Sequence, residues 1–379
     1  MKLIHLSDLH LGKRVNEFSM AEDQEYILKK IINIIDSEKP DGVIIAGDVY
    51  DKPIPPTEAI ELFDSFLFRL SQMNLQVFII SGNHDSPERL SFANRLIDQS
   101  GIHISRDYNG EVTPFTLNDE YGEVRIYMLP FIKPVHVRQF FPDEAVESYT
   151  DAVRTAVNKM EVSDSVRNVI VTHQFVTGAA RSESEEISVG GSDNVDASVF
   201  NGFDYVALGH IHNPQNIGAE RIRYCGTPLK YSFSEASHQK SVTVVELKEK
   251  GSLSVKSIEL VPLRDMVELK GTYDELTLKS FYEGTSYQTD YVHITLTDED
   301  DIPGAVSRLR VIYQNLMKLD YDNKRTRHNA RISGAGDVEN KTPLDLFAEF
   351  YVKQNGYEMT GEQLGFMKEM IEKIWEGEK

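Results

Sequence analysis

The stretch Val77-Phe78-Ile79-Ile80-Ser81-Gly82-Asn83-His84-Asp85 decides how the chain is read. Four apolar residues in a row read as a buried strand. The chain then breaks at Ser81-Gly82 and presents an amide, an imidazole and a carboxylate in succession. An amide oxygen is a hard metal ligand, and an imidazole beside it can pass a proton to a leaving group. A polar turn after a strand would look the same in isolation. Recurrence of the design separates the two readings.

Working outward, the same design returns. Lys2-Leu3-Ile4-His5-Leu6 reads as a strand and runs into Ser7-Asp8-Leu9-His10. Val43-Ile44-Ile45-Ala46 runs into Gly47-Asp48, and Asn168-Val169-Ile170-Val171-Thr172 ends at His173. Tyr205-Val206-Ala207-Leu208 runs into Gly209-His210-Ile211-His212. Helical apolar spacing from Met20 to Ser37 and a helix from about Thr57 (a candidate N-cap) to Met73 separate the first three strands. Strands that are almost continuously apolar require a sheet covered on both faces, so the fold class is α/β. In such folds ligands sit beyond the carboxyl ends of the strands, where all these polar clusters lie. Residues 102 to 132 read as short strands with turns, and 143 to 160 as a helix. The stretch Gly178 to Asp196 is a long glycine- and acid-rich loop, of the kind that is more often functional than idle.

Length and composition bound the function. The chain has 379 residues, enough for two or three domains. Hydrophobic content of 40% and charged content of 26% are those of a globular protein. No apolar run approaches the roughly 20 residues of a membrane helix. The polar start carries no secretory pattern. Cys225 is the single cysteine, which excludes an internal disulfide and fits the cytoplasm. The net charge of −20 argues against a generic basic nucleic-acid binder. It does not exclude a locally positive rim, because charges are screened beyond about 8 Å. Lys13, Arg14, Lys52, Arg89 and Arg95 follow the polar clusters and could contact phosphates there.

Asp8, His10, Asp48, Asn83, His173, His210 and His212 offer mixed carboxylate, amide and imidazole donors without a thiolate. That set suits manganese or iron rather than structural zinc. Seven ligands are too many for one ion with open positions. They suit two ions about 3.5–4 Å apart with a shared carboxylate, for which Asp48 is placed.

Asp8-x-His10, Gly47-Asp48, Gly82-Asn83-His84-Asp85, His173 and Gly209-His210-x-His212 resemble the ordered motifs of calcineurin-like metallophosphoesterases. Ile4 to Gly12, Gly47 to Asp51 with Pro55-Pro56, Val189-Gly190-Gly191 and Asp204 to His212 narrow the resemblance. They are similar to the double-strand-break repair exonuclease family. The resemblance implies a two-layered β-sheet core flanked by helices, a small α+β capping domain and C-terminal helices. It assigns Asp8, His10, Asp48 and His212 to one metal, and Asp48, Asn83, His173 and His210 to the other, most often Mn2+. His84 would be the catalytic histidine, oriented by Asp85, and the reaction would be in-line hydrolysis of phosphodiesters in DNA. The domains expected are 1–262 (nuclease), 263–322 (cap), a linker over 323–340 and helices over 341–379. Within the cap, Ile302 to Leu319 reads as a helix. Thr342-Pro343 and Thr360 with Gln363 read as helix starts. Leu344, Phe347 and Tyr351 form one apolar stripe, and Leu364, Met367, Ile371, Ile374 and Trp375 another. The family's partner, an SMC-type ATPase, would dock on these helices. No phosphate-binding loop of the Gly-x-x-x-x-Gly-Lys-Ser/Thr kind is present in the chain itself. Homodimerisation and association with the nucleoid are further family expectations.

Two other readings stand beside the nuclease. One is a phosphatase or small-molecule phosphodiesterase on the same scaffold, and the other a scaffold that keeps its metals for structure. Phosphatases of the superfamily carry an arginine-glycine pair where this chain has Asp51-Lys52-Pro53, and the complete ligand set with His84 speaks against a mere scaffold.

Overall fold

A strand that is apolar at every position has to be covered on both sides, and the strand Gly42–Ala46 is. Val43 and Ile45 pack in the core beneath the helices Ala21–Glu38 and Thr57–Ser71. Ile44 and Ala46 point the other way, into a core shared with Val169, Val171, Tyr205 and Ala207 of a second sheet. The period-two alternation therefore serves two interfaces. The computed structural model describes residues 1–185, 193–324, 326, 342–355 and 357–377.

Two six-stranded sheets face each other. The first runs, in spatial order, Leu253–Glu259, Ser241–Leu247, Lys2–Leu6, Gly42–Ala46, Gln76–Ile80 and Ile102–Ile104. The second runs Gln215–Ile217, Ala219–Tyr224, Tyr205–Gly209, Arg167–His173, Gly122–Leu129 and Phe115–Asp119. The central strands of each are parallel, so their carboxyl ends are level. Leu6 lies beside Ile45, Ala46 beside Ile80, and Gly209 beside His173. Helix Tyr149–Asn158 covers the outer face of the second sheet and starts later than the expected 143. Its start is fixed by Ser148, which caps the Asp151 amide while Asp151 caps Ser148 in return. Arg167 ties the far end together. It is buried, bridges to Asp119, and donates to the carbonyls of Leu247, Lys248 and Gly122.

A third sheet is separate and all parallel, in the order Met266–Gly271, Tyr291–Leu296, Asn315–Tyr321. Here one expectation fails. The segment from Ile302 to Leu319 is not one helix: it is the short helix Ala305–Leu309 followed by a strand from Asn315. Pairing of Asn315 with Tyr291 and burial of Leu316 and Met317 against the neighbouring strand override the local helical spacing. Arg264 holds this unit to the first helix through Glu22 and Asp23, and Tyr291 adds a hydroxyl hydrogen bond to Asp23 at 2.6 Å.

The helix expected from a Thr57 cap begins at Thr57 itself, with Pro56 in the cap position. Near the C-terminus, helices Pro343–Asn355 and Gly361–Gly377 begin where expected. Thr342 and Asp345 cap each other, as do Thr360 and Gln363. Val189-Gly190-Gly191, most of a basic stretch in the expected linker, Lys324-Arg325-Thr326-Arg327-His328, and the side chains of Ile374 and Trp375 lie outside the described residues.

Candidate metal centre

Level strand ends bring five loops to one place, and the backbone there is unusual. Among the described residues, nine that are not glycine have positive φ, and four of them are Asp8, His10, Asp48 and His210. Such conformations persist only where the surroundings enforce them, so strain is concentrated in these loops. The loops also approach too closely for side chains at two glycines. A Cβ on Gly82 would lie 2.1 Å from Asp48 Oδ1, and one on Gly209 would lie 1.8 Å from the Ala46 carbonyl oxygen. Gly82 and Gly209 let the Asn83 and His210 loops close over Asp48 and the end of its strand.

The seven donors converge. His10 Nε2 and His212 Nε2 are 3.2 Å apart. His173 Nε2 is 3.2 Å from Asp48 Oδ2 and 4.0 Å from Asp8 Oδ1. Asn83 Oδ1 lies 3.0 Å from both His173 Nε2 and His210 Nδ1. Asp8, His10 and His212 have donor atoms within 4.8 Å of one another, as do Asp8, Asp48 and His173. A third such group, His10, Asp48 and His84, shares Asp48 with the second. Backbone amides hold the carboxylates: His210 N–H donates to Asp8 at 3.0 Å, and His84 N–H to Asp48 at 2.9 Å.

Two of the histidines are set from behind by backbone carbonyls. His173 Nδ1–H donates to the Ala46 carbonyl at 2.8 Å, which turns Nε2 toward Asp48 and Asn83. His84 Nδ1 meets the Asp51 carbonyl at 3.1 Å, and His84 Nε2 is 4.0 Å from Asp48 Oδ2. Asp85 has a different task from the one expected. Its carboxylate accepts the backbone N–H groups of Val49, Tyr50 and Gly82, at 3.1, 2.9 and 2.9 Å. It locks the Asp48 loop to the Asn83-His84 loop, while the backbone carbonyl of Asp51 meets the His84 ring.

Electrostatics follow from burial. Burial drives the His10 and His210 imidazoles well below their ordinary value, so both are neutral and offer lone pairs. Burial pushes the Asp8 carboxyl up to about 6, against the pull of His173. Burial acts to raise Asp48 too, but His173 and His84 beside it hold it well below the usual carboxylate range. His173 is the counterpart: burial disfavours its charge, yet Asp48 and Asp8 lift it to about 9. Two buried carboxylates ringed by imidazoles and an amide oxygen form a donor set that fits divalent cations. The buried His210 Nε2 and His10 Nδ1 have no hydrogen-bond partner among the described residues.

Sequence reading missed Ser184, Glu185, Glu235 and Lys240, which surround His212. They come from two distant segments and carry no local motif.

A family model for calcineurin-like phosphoesterases matches residues 1–214. A second, described as the type 5 capsule protein repressor C-terminal domain, matches residues 262–355. The chain is similar to the SbcD subunit of the nuclease SbcCD from Staphylococcus saprophyticus subsp. saprophyticus, at 34% identity over 99% of this chain and 97% of that one. It is similar to the protein of the same name from Staphylococcus epidermidis at 29% identity, over the whole of both chains. Among solved structures, a dimetal phosphatase from Danio rerio is 12% identical and covers 69% of this chain and 96% of its own, with a TM-score of 0.42. That likeness is too distant to carry an argument. Two facing sheets between helices, the first family model over more than half of the chain, and a full-length relative above 30% identity lead to one conclusion: the chain belongs to the calcineurin-like phosphoesterases, among the SbcD subunits of SbcCD nucleases.

Proposed function

We propose that the chain is a metal-dependent deoxyribonuclease that hydrolyses phosphodiester bonds at a two-cation site. The observation that carries this reading is the convergence of six hard or borderline donor residues around Asp48, with His84 beside it. Asp8, His10, Asp48 and His212 hold one ion. Asp48, Asn83, His173 and His210 hold the other, and manganese suits the set. Such ions activate water and neutralise charge on a phosphodiester. The protein's own part is to orient and to move a proton. With Nδ1 at the Asp51 carbonyl, the His84 ring is held beside Asp48, where its Nε2 would pass a proton to the departing oxygen. Asp85 keeps that loop in place through three amides.

The nuclease unit spans 1–262, the cap 263–322, and the linker 323–340. Lys52, Arg89 and Arg95 are exposed and suit contacts with DNA phosphates, whereas Lys13 is paired with Asp51 at 2.6 Å. The C-terminal helices over 341–379 serve an SbcC-like, SMC-type ATPase. In support, they pair with each other yet leave Phe350 at 56%, Leu364 at 40% and Phe366 at 62% exposure. A homodimer, double-strand exonuclease and single-strand or hairpin endonuclease activity, and a cytoplasmic, nucleoid-associated site of action complete the reading.

The test is hydrolysis by the purified chain of linear duplex DNA, single-stranded DNA, a DNA hairpin and a simple phosphomonoester. Manganese-dependent cleavage of DNA, abolished by a chelator, with the monoester untouched, is the expected result. Efficient turnover of the monoester with DNA inert would overturn the nuclease in favour of a phosphatase.

A further inference from the structure

The loop that begins at Gly178 reaches the metal centre through Ser184 and Glu185. Ser184 Oγ is 2.7 Å from His212 Nδ1 and 2.5 Å from Glu235 Oε1. One proton arrangement satisfies both contacts: His212 Nδ1–H donates to Ser184, and the Ser184 O–H donates to the Glu235 carboxylate. Glu235 is fully buried, and its other oxygen accepts from Lys240 Nζ. Lys240 also donates to the His212 carbonyl at 2.9 Å and to Thr227 Oγ1 at 2.7 Å. Glu185 accepts the His212 backbone N–H at 2.7 Å. His212 is thus held at its amide, its carbonyl and its ring by four side chains from outside its own loop.

We infer that Ser184, backed by Glu235 and Lys240, is a positioning residue for His212. The relay keeps the proton on Nδ1, so the Nε2 lone pair faces His10 Nε2, 3.2 Å away. Glu235 Oε1 also lies 3.4 Å from the ring nitrogen, so the serine hydroxyl and the carboxylate both face Nδ1, with Ser184 at the shorter distance. The hydroxyl belongs to the segment 178–185, so the position of Ser184 and affinity at one cation position are linked. His173, by contrast, is set by a strand carbonyl and is independent of the loop. The inference rests on the proposed role of His212 as a metal ligand.

The test is calorimetric titration of manganese into the metal-free full-length chain and its Ser184→Ala, Ser184→Thr and His212→Ala variants. Melting of each metal-free protein is measured alongside. Ser184→Ala is expected to weaken one of two manganese sites by about 10-fold, the lower end for loss of a hydrogen bond behind a ligating histidine. The second site and the metal-free melting temperature stay at wild-type values, and Ser184→Thr restores the affinity. Unchanged affinities in Ser184→Ala, with or without a lower melting temperature, overturn the relay, as does equal impairment in the alanine and threonine variants. In those cases a lost site in His212→Ala keeps the metal reading intact. Wild-type binding by His212→Ala removes that reading and the relay with it.

Discussion

Replacing His84 with alanine is expected to lower manganese-dependent DNA cleavage by about 10²–10⁴-fold, the range a positioned general acid contributes. That corresponds to roughly 3–5 kcal/mol of lost transition-state stabilisation. The ring lies at the rim of the site, with its side chain 16% exposed, so its loss opens the site to solvent without leaving a closed core cavity. Manganese affinity and melting temperature are expected to stay near wild type. The ring stands edge-on to His10, with centroids 4.9 Å apart, and shares a donor cluster with His10 and Asp48. Titration with manganese therefore separates the two roles. If His84→Ala loses an ion along with its activity, His84 is a ligand; if both ions remain and turnover falls, it acts on the leaving group.

The second large effect is expected at Asp48. Asp48→Asn keeps the side-chain shape, and asparagine tolerates the left-handed backbone found there, with φ at 49°. Its amide oxygen can still accept the His84 N–H. What is lost is the negative charge that the two proposed cation positions would share. Affinity for both ions is expected to fall by more than about 100-fold, beyond the effect of changing a group behind a ligand, and cleavage is lost with it. Manganese at 100 times its dissociation constant stabilises the wild-type fold by about 2.7 kcal/mol. In Asp48→Asn that stabilisation is expected to vanish, as read from melting with and without manganese. Loss of one ion alone would make Asp48 a terminal ligand rather than a bridge.

Much of this was legible in the sequence, for a physical reason. Parallel strands bury both faces, so each reads as an unbroken apolar run, and their level carboxyl ends gather whatever polar residues come next. Asp8, Asp48, Asn83, His173 and His210 each stand at or just past the end of an apolar strand, and the structure brings their donor atoms close together. What lay outside the sequence's reach depends on tertiary pairing. Asp85 stands next to His84 in the chain, yet its carboxylate turns to the amides of Val49, Tyr50 and Gly82. Glu235 and Lys240 carry no signal of their own, because their role exists only once Ser184 and His212 are brought between them. The strand Asn315–Tyr321 was read as helix because Leu316 and Leu319 also fit a helical face. Only pairing with Tyr291–Leu296 distinguishes the two.

A pair of cations bridged by Asp48 is tested most directly in crystals grown with manganese, by anomalous scattering at the manganese edge. The expected result is two peaks about 3.5–4 Å apart. One would be bounded by Asp8, His10 and His212, the other by Asn83, His173 and His210, with Asp48 between them. A single peak, or peaks bound by residues outside this set, would contradict the account.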